Sequence, residues 1–463
     1  MKTLSGLTTP LFFLAAIATI AVFDGNVCLG NAHPELATLD FRKVVADAKD
    51  KVFPAVVYVK VLKESHESGK KISTEEAGSG VLISTGGEFL TNWHVVDKAI
   101  DVRCLLFDGR SFDAEIIGSD KDTDLALAKL KLPADAGKLP LAGLGDSTAL
   151  KEGDFVMAMG APWGMSRSVS IGIVSCTRRY LPGNSEYSLW LQTDAAISPG
   201  NSGGPLVNTA GQIVGINTRG VMYGGDVGFA IPSETIRNVV AQLRKNGKMN
   251  WSWTGLQLQP LKDFDRNVYF DATEGVIVSE TDQDSPARSA GILARDRIVS
   301  VNGKSLTATT AEDLPAVQVY LGLLTKDNPA EVKLVRDGKV MTVTITPRAK
   351  GEVEGKELDC PRWDMTVKTI NKFENKDLHY FRKRGVFIFG VKYPGNASSA
   401  GLREKDILLK IGRNKIETLQ DVKRAHKEAL DKIDREHKVL VSVLRNGLMR
   451  QIVLDFARDY EKD

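Results

Sequence analysis

The sequence predicts a mainly β protein, with an all-β barrel or sandwich domain followed by two copies of one smaller module. From Val52 to about Ile231, short runs of β-branched and aromatic residues alternate with Gly, Pro, Asn and Asp at turn-like intervals. Apolar residues recur at helical spacing only from Ser233 to Leu243, where Ser233 is placed to cap the helix start. We expect this helix to close the first domain.

The two modules are predicted by an internal repeat with an offset of 110 positions, from Gly275 to Gly385. Gly275-Val-Ile-Val corresponds to Gly385-Val-Phe-Ile, and each copy ends in a hairpin pattern, with turns at Asp337-Gly338 and Asn446-Gly447. We therefore predict a first domain at 40–248 and two modules at 252–348 and 360–458, with a charged, glycine-containing linker at 349–359 between the modules.

Composition excludes several functional classes. A chain of 463 residues is long enough for several domains, and a net charge of +3 provides no basic field suited to nucleic acid. The six histidines are scattered and show no metal-ligand spacing, so we expect neither a metal nor another cofactor. Cys104, Cys176 and Cys360 are too sparse to imply a disulfide framework.

The N-terminus has the pattern of an export signal. Lys2 precedes an apolar run from Leu11 to Phe23, and small residues follow around Gly30 and Ala32. The alternative is an uncleaved membrane anchor, but this run is shorter than the roughly 20 residues that a helix needs to cross a bilayer core. We expect a signal peptide at 1–32, cleaved near Ala32.

Three segments of the first domain carry side chains that could act together in catalysis. They are Thr91-Asn-Trp-His-Val-Val, Asp122-Thr-Asp-Leu-Ala-Leu and Ser198-Pro-Gly-Asn-Ser-Gly-Gly-Pro-Leu. A serine hydroxyl is a poor nucleophile at neutral pH and needs a base such as histidine, whose orientation and charge a buried carboxylate can stabilise. The segments predict a triad of His94, Asp124 and Ser202, although each segment alone is also compatible with an ordinary turn or loop.

The glycines around Ser202 meet a second requirement of this chemistry. A tetrahedral intermediate carries a negative oxygen that backbone N–H groups can approach closely only where side chains are absent. We predict an oxyanion hole in the backbone of the loop Gly200, Asn201 and Ser202, with Gly200 and Ser202 as the donors.

The three segments, together with Gly215-Ile-Asn-Thr and Gly228-Phe-Ala-Ile-Pro, resemble the HtrA (Deg) family of serine proteases. The resemblance covers nearly the whole chain after the signal and implies a chymotrypsin-like double β-barrel protease domain followed by two PDZ-like α+β modules. It also implies an ATP-independent endopeptidase of unfolded or damaged proteins, a homotrimer or a multiple of trimers, located in the periplasm or secreted. The alternative function is a peptide-binding chaperone or scaffold whose proteolytic centre is idle.

Substrate preference is predicted from the expected S1 pocket. Chymotrypsin-like enzymes that cleave after Lys or Arg have an acidic residue six positions before the nucleophile, where this chain has Ala196. Ile197 and Ile216 resemble the small aliphatic pocket of the family, which implies cleavage after residues such as Val, Ala or Ile. Plain core packing of Ile197 and Ile216 is the alternative interpretation.

Peptide capture by a PDZ module needs an exposed strand edge and a loop of N–H groups that receives a C-terminal carboxylate. In the first module we assign this loop to Gly255, Leu256 and Gln257, and expect it to bind C-terminal peptides. The corresponding Trp363-Asp364-Met365 lacks the glycine and puts an acid beside the expected carboxylate site. A structural or docking role for the second module is at least as compatible with this pattern.

Three loops correspond to regulatory loops of the family. Thr177 to Leu189 lies where the family has its sensor loop, and Gly160 to Ser168 and Arg219 to Asp226 resemble its activation loops. Such glycine-containing segments could switch the oxyanion hole between ordered and disordered forms, or could be ordinary connections between strands.

Overall fold

Two closed barrels of six antiparallel strands precede the repeated modules. A computed structural model describes residues 40–162, 167–221 and 227–462, so the predicted signal peptide and parts of both predicted activation loops lie outside the described residues. The first barrel follows helix α1 (Phe41–Val52), and helix α2 (Trp93–Val96) lies between its third and fourth strands. Its strands are β1 (Val56–Ser65), β2 (Ile72–Leu82), β3 (Glu88–Asn92), β4 (Ala99–Leu105), β5 (Ser111–Asp120) and β6 (Leu125–Leu130), closed in the order β1-β2-β3-β6-β5-β4.

The second barrel has the same number of strands and ends in a helix. Its strands are β7 (Phe155–Gly160), β8 (Ser168–Arg179), β9 (Trp190–Thr193), β10 (Pro205–Asn208), β11 (Ile213–Val221) and β12 (Val227–Pro232), closed in the order β10-β11-β12-β9-β8-β7. Helix α3 (Ser233–Asn246) follows and buries the predicted apolar face in the core of the first barrel. The fold is therefore mainly β with a double barrel, as the sequence and the family resemblance predicted.

Ser233 does not cap α3 with its side chain. Its hydroxyl instead donates to the Gly145 carbonyl at 2.8 Å and accepts the Ser147 N–H at 3.0 Å. The helix ends at Gly247, which is left-handed with a φ of +70° and bonds its N–H to the Leu243 carbonyl. The start of the helix is thus held by the loop between the barrels.

The first module is a five-stranded antiparallel sheet with short accessory strands and two helices. Its elements are β13 (Ser252–Trp253), β14 (Leu256–Gln259), β15 (Lys262–Asp263), β16 (Val268–Tyr269), β17 (Val276–Thr281), α4 (Pro286–Ser289), β18 (Arg297–Val301), β19 (Lys304–Ser305), α5 (Leu314–Gly322), β20 (Ala330–Arg336), β21 (Lys339–Ile345) and β22 (Arg348–Ala349). The main sheet runs β14-β17-β18-β20-β21, so β14 is an edge strand.

The second module repeats this plan and adds one strand. Its elements are β23 (Glu357–Cys360), β24 (Met365–Thr369), α6 (Lys376–Phe381), β25 (Val386–Val391), α7 (Asn396–Ala400), β26 (Ile407–Ile411), β27 (Asn414–Lys415), α8 (Leu419–Leu430), β28 (Lys438–Arg445) and β29 (Leu448–Asp455). The order is β23-β24-β25-β26-β28-β29, so β23 lies outside the strand that corresponds to β14.

A buried ion pair recurs at the same place in both modules. Asp296 accepts two hydrogen bonds from Arg336, and Asp406 accepts two from Arg445, at distances of 2.6 and 2.7 Å in the first module and 2.6 Å in the second. Both carboxylates are buried. Bidentate pairing compensates the burial of the charge, and its recurrence supports the assignment of an internal repeat.

Candidate active site

Asp124 and His94 are brought together by the pairing of β3 with β6. Asn92, the last residue of β3, lies opposite Leu125, the first residue of β6. The next residues along β3 enter α2, while Asp124 precedes β6 in a left-handed conformation with a φ of +55°. Residues 30 positions apart in the chain thus become neighbours at one end of the first barrel.

The carboxylate of Asp124 holds both the ring and the backbone of His94. Nδ1 of His94 lies 2.9 Å from each Asp124 carboxylate oxygen, and the His94 main-chain N–H donates to Oδ1 at 3.0 Å. The Asp124 side chain is 6% exposed, whereas that of His94 is 32% exposed. This geometry orients the imidazole and leaves its other nitrogen accessible from solvent.

Ser202 reaches this site from the second barrel. Its main-chain carbonyl accepts the Ser79 N–H at 2.8 Å, which anchors the loop to β2. The next residue, Gly203, has a φ of +86°, and an added Cβ would lie 2.1 Å from the Ser79 carbonyl oxygen. Only glycine permits this approach of the two barrels.

The hydroxyl of Ser202 donates to the Thr218 carbonyl at 2.9 Å. Among the described residues it makes no hydrogen bond with His94, to which it is linked instead through Thr218 and Asp124. Hydrogen bonds of catalytic groups are often long or misaligned before substrate binds.

Thr218 is a site residue that the sequence analysis missed. Its hydroxyl donates to Oδ2 of Asp124, while its carbonyl receives the Ser202 hydroxyl. The residue is buried and follows Gly215-Ile-Asn in β11. The segment Gly215-Ile-Asn-Thr carries a family resemblance, but nothing in its composition indicates a contact with Asp124.

The loop before Ser202 forms a tight turn. Asn201 donates its N–H to the Ser198 carbonyl at 2.9 Å, and Gly200 has a φ of +98°. A proline at the second position and a left-handed glycine at the third are typical of a type II turn. The N–H groups of Gly200 and Ser202 find no acceptor within the described parts of the chain, whereas that of Asn201 is already used.

Of the three predicted S1 residues, two are half-buried in the second barrel and one is fully buried. Ala196 is half-buried, and its carbonyl accepts the Ser170 hydroxyl at 2.6 Å. Ile197 is also half-buried, and its side chain would lie 2.8 Å from a Cβ added to Gly228. Ile216 is fully buried and belongs to the main hydrophobic core, which favours the alternative interpretation of core packing.

The loop predicted to bind carboxylates precedes the edge strand of the first module. Gly255 has a φ of +74°, and a Cβ added to it would lie 2.0 Å from Cβ of Ser285. Its carbonyl accepts the Asp282 N–H at 2.7 Å. The loop thus turns this carbonyl towards the module, and the Gly255 N–H has no acceptor in the described ranges.

Leu256 and Gln257 begin β14. Leu256 is buried and pairs with Thr281, whereas the side-chain amide of Gln257 donates to Asp282 at 2.9 Å. The outer edge of β14 has no neighbouring strand in the described sheet. An extended peptide can add to such an edge.

The corresponding place in the second module is occupied by the chain itself. Residues Glu357–Cys360 of β23 pair antiparallel with β24. Asp364 takes the position of Gly255, with a φ of +54°, but its carboxylate is buried and accepts the Asn396 N–H at 2.9 Å. The acid therefore serves the fold of the module.

Neither a metal cluster nor a membrane helix is found among the described residues. No group of His, Cys, Asp and Glu side chains in residues 40–162, 167–221 and 227–462 could hold an ion. Within the same ranges, no helix has both the length and the apolar composition needed to cross a bilayer.

Comparison with known proteins agrees with this architecture. The family of trypsin-like peptidase domains matches residues 78–216, and the PDZ domain family matches residues 254–346. A periplasmic serine endoprotease DegP-like of Halomonas elongata is 34% identical over 392 residues, which are 82% of this chain and 79% of that protein. One of Chlamydia pneumoniae is 31% identical, over 83% of this chain and 77% of that protein.

Solved structures agree as well. The HtrA-type protease AlgW with a tripeptide is 30% identical and superposes with a TM-score of 0.57, covering 66% of this chain and 97% of that one. The serine endoprotease from Yersinia pestis is 31% identical, with a TM-score of 0.52 over 66% of this chain and 97% of that one. From the fold, the site geometry and these similarities, the chain belongs to the HtrA family of DegP-like periplasmic serine endoproteases.

Proposed function

We propose that the chain is an exported, ATP-independent serine endopeptidase of unfolded polypeptides, with His94, Asp124 and Ser202 as its catalytic triad. The proposal is supported chiefly by the surroundings of the Asp124 carboxylate, which is buried and hydrogen-bonded to Nδ1 of His94. The same carboxylate accepts a hydrogen bond from the hydroxyl of Thr218, whose carbonyl accepts the Ser202 hydroxyl. This arrangement fixes one imidazole tautomer and stabilises the imidazolium that forms when His94 accepts a proton.

Catalysis begins when the Ser202 hydroxyl leaves Thr218 and turns towards His94. The exchanged hydrogen bond has a net value of about 1 kcal/mol, which is small beside a catalytic barrier. Oγ of Ser202 then attacks the peptide carbonyl carbon while His94 accepts its proton. The N–H groups of Gly200 and Ser202 receive the developing oxyanion, because neither is used within the loop.

His94 next donates the proton to the leaving amine, which breaks the peptide bond and leaves an acyl group on Ser202. Water hydrolyses this ester by the same steps, with His94 again as base and then as acid. The experiment is digestion of casein by the wild type, Ser202→Ala, His94→Ala and the exposed control Ser111→Ala. We expect turnover in the wild type and the control only.

The same experiment tests the alternative function, a chaperone or scaffold whose proteolytic centre is idle. Turnover in either triad variant above about a hundredth of the wild-type rate would reassign the nucleophile or the base, because triad members act as a unit. If the wild type leaves casein intact but suppresses its aggregation, the chaperone function replaces the protease function.

We propose further that the S1 pocket accepts small aliphatic side chains. Ile197 supports this, because its side chain fills the space beside Gly228 and its carbonyl lies 2.5 Å from a Cβ added to Gly220. With Ala196 in the position where an acid would stand, a basic side chain would find no partner. Mass spectrometry of casein fragments should show Val, Ala or Ile before the cut, whereas a majority of Lys and Arg would contradict the pocket.

We also propose that only the first module captures C-terminal peptides. The free edge of β14 and the turn at Gly255 support binding there, and the pairing of β23 with β24 opposes it in the second module. Calorimetry of the full chain with a peptide ending in a hydrophobic residue should give one site per chain. The amidated peptide is the control and should not bind; two sites per chain would contradict the assignment.

A further inference from the structure

The turn that carries Asp124 is held by groups from outside the two barrels. Asp120, at its start, accepts the Thr123 N–H at 3.0 Å and the Thr123 hydroxyl at 2.7 Å. The same carboxylate accepts the indole N–H of Trp251 at 3.1 Å. Trp251 lies after α3, at the entry to the first module, so this contact joins the catalytic turn to the module boundary.

Lys350 makes the second contact. Its Nζ lies 2.7 and 2.6 Å from the two carboxylate oxygens of Asp122 and 3.3 Å from the Tyr187 hydroxyl. Its main-chain N–H donates to the Trp251 carbonyl at 3.0 Å. Lys350 belongs to the segment predicted to be a linker, and that segment therefore packs on the protease domain as well as joining the modules.

The pair is well shielded from water. The Lys350 side chain is 13% exposed and that of Asp122 is 21% exposed. The ammonium also lies 4.8 Å from the centre of the Tyr187 ring and 5.7 Å from that of Phe373. Burial opposes the charge, but Tyr187 and Asp122 outweigh it and raise the pKa of Lys350, so the lysine is cationic at neutral pH.

The same segment makes a second ion pair with the turn. Glu354 pairs with Lys121, whose ammonium lies 4.9 Å from the centre of the Trp93 ring, next to His94. Three consecutive residues of the turn between Asp120 and Asp124 therefore contact groups outside the two barrels: Asp120, Lys121 and Asp122. Asp124 itself is left-handed, a conformation that costs a residue with a side chain about 1–2 kcal/mol and needs support from its surroundings.

We propose that Lys350 is a positioning residue for proteolysis, which by pairing with Asp122 holds the turn in the conformation that presents Asp124 to His94. The segment between the modules is then part of the support of the active site. This inference rests on the proposed protease function, since it concerns the orientation of the triad carboxylate. In this role Lys350 acts through Asp122 and Asp124.

The experiment compares Lys350→Met, Asp122→Asn and the double variant with the wild type in the full chain. Lys350→Arg keeps the charge, and Lys392→Met is a matched control, because Lys392 is 19% exposed and pairs with a buried aspartate, Asp364, in the second module. Casein turnover is divided by the fraction of chains whose Ser202 is labelled when reaction with a fluorophosphonate has gone to completion. Loss of folded protein lowers that end point, whereas misplacement of Asp124 slows the labelling and lowers kcat per reactive site.

We expect kcat per reactive site to fall about tenfold or more in Lys350→Met and in Asp122→Asn, with KM within twofold. The double variant should be no slower than the slower single variant, because both remove the same pair. Lys350→Arg should recover most of the rate, and Lys392→Met should match the wild type.

A wild type that reacts and a Lys350→Met variant with unchanged kcat per reactive site would overturn the positioning role alone. If Lys350→Met does not fold, Asp122→Asn decides in the same way. Additive losses in the double variant would also overturn the role, because the two residues would then act separately. A wild type that neither reacts at Ser202 nor cleaves casein would instead overturn the proposed protease function.

Discussion

Replacing Thr218 by valine tests whether its hydroxyl supports the catalytic carboxylate. Valine keeps the shape of the side chain but removes the donor to Oδ2 of Asp124. Asp124 would keep its bonds to the ring and the main-chain N–H of His94 and would lose one charge-assisted hydrogen bond. Hydrogen bonds to charged groups contribute about 1.5–3 kcal/mol. Because the carboxylate is buried, bulk solvent does not readily replace the donor.

If that free energy acts on the transition state, kcat falls by a factor of about 10 to 150. Thr218→Ser is the control, because it keeps the hydroxyl and removes one methyl group. The assay is the initial rate of casein cleavage at saturating substrate, with thermal unfolding measured in parallel. A rate for Thr218→Val within twofold of the wild type would contradict a role of the Thr218 hydroxyl in supporting Asp124. An equal loss of rate in Thr218→Ser would contradict it as well.

Two further predictions concern stability. Burial, and then the charge of Asp122, raise the pKa of Asp120 from 3.8 to about 6. Between these pH values the folded state therefore binds more protons than the unfolded state. The free energy of unfolding consequently falls as the pH rises through this range. Relative to Asp120→Asn, the free energy of unfolding of the wild type should therefore drop by about 2 kcal/mol from pH 4 to pH 7 in urea titrations, and a constant difference would contradict the shift. Gly203→Ala should abolish folding of the protease domain or destabilise it by more than about 3 kcal/mol, because its Cβ would meet the Ser79 carbonyl at 2.1 Å. Gly183 also has a positive φ, of +76°, but an added Cβ would meet no atom within 4 Å, so Gly183→Ala should cost only about 1–2 kcal/mol. Equal losses of stability in the two variants would show that the backbone strain of a positive φ, and not the contact with Ser79, sets the cost.

Much of the candidate site could be predicted because its residues lie in short segments with restricted chemistry. Glycine at position 203 is required by a close backbone approach, and the segment around Ser202 therefore carries its own structural signature. The repeat was equally visible, since β17 and β25 begin 110 positions apart, at Val276 and Val386. Such signals depend on local geometry, which a sequence records directly.

Contacts between segments that lie far apart in the sequence have no comparable local pattern by which they could be predicted. Ile216 lies in a part of β11 where consecutive residues are all buried, so the pattern of apolar residues could not separate a pocket wall from the core. The role of Thr218 depends on the approach of β11 to Asp124, 94 positions earlier in the chain. The pairing of Lys350 with Asp122 spans 228 positions and lies in a segment whose charge and glycine content are typical of a linker.

The triad is tested by a structure of the chain with a peptide phosphonate bound covalently. We expect the phosphorus to be bonded to Oγ of Ser202 and Nε2 of His94 to lie within hydrogen-bonding distance of that oxygen. We also expect a phosphonyl oxygen to accept the N–H groups of Gly200 and Ser202. An adduct on another residue, or a His94 ring that remains out of reach of Ser202, would contradict the triad.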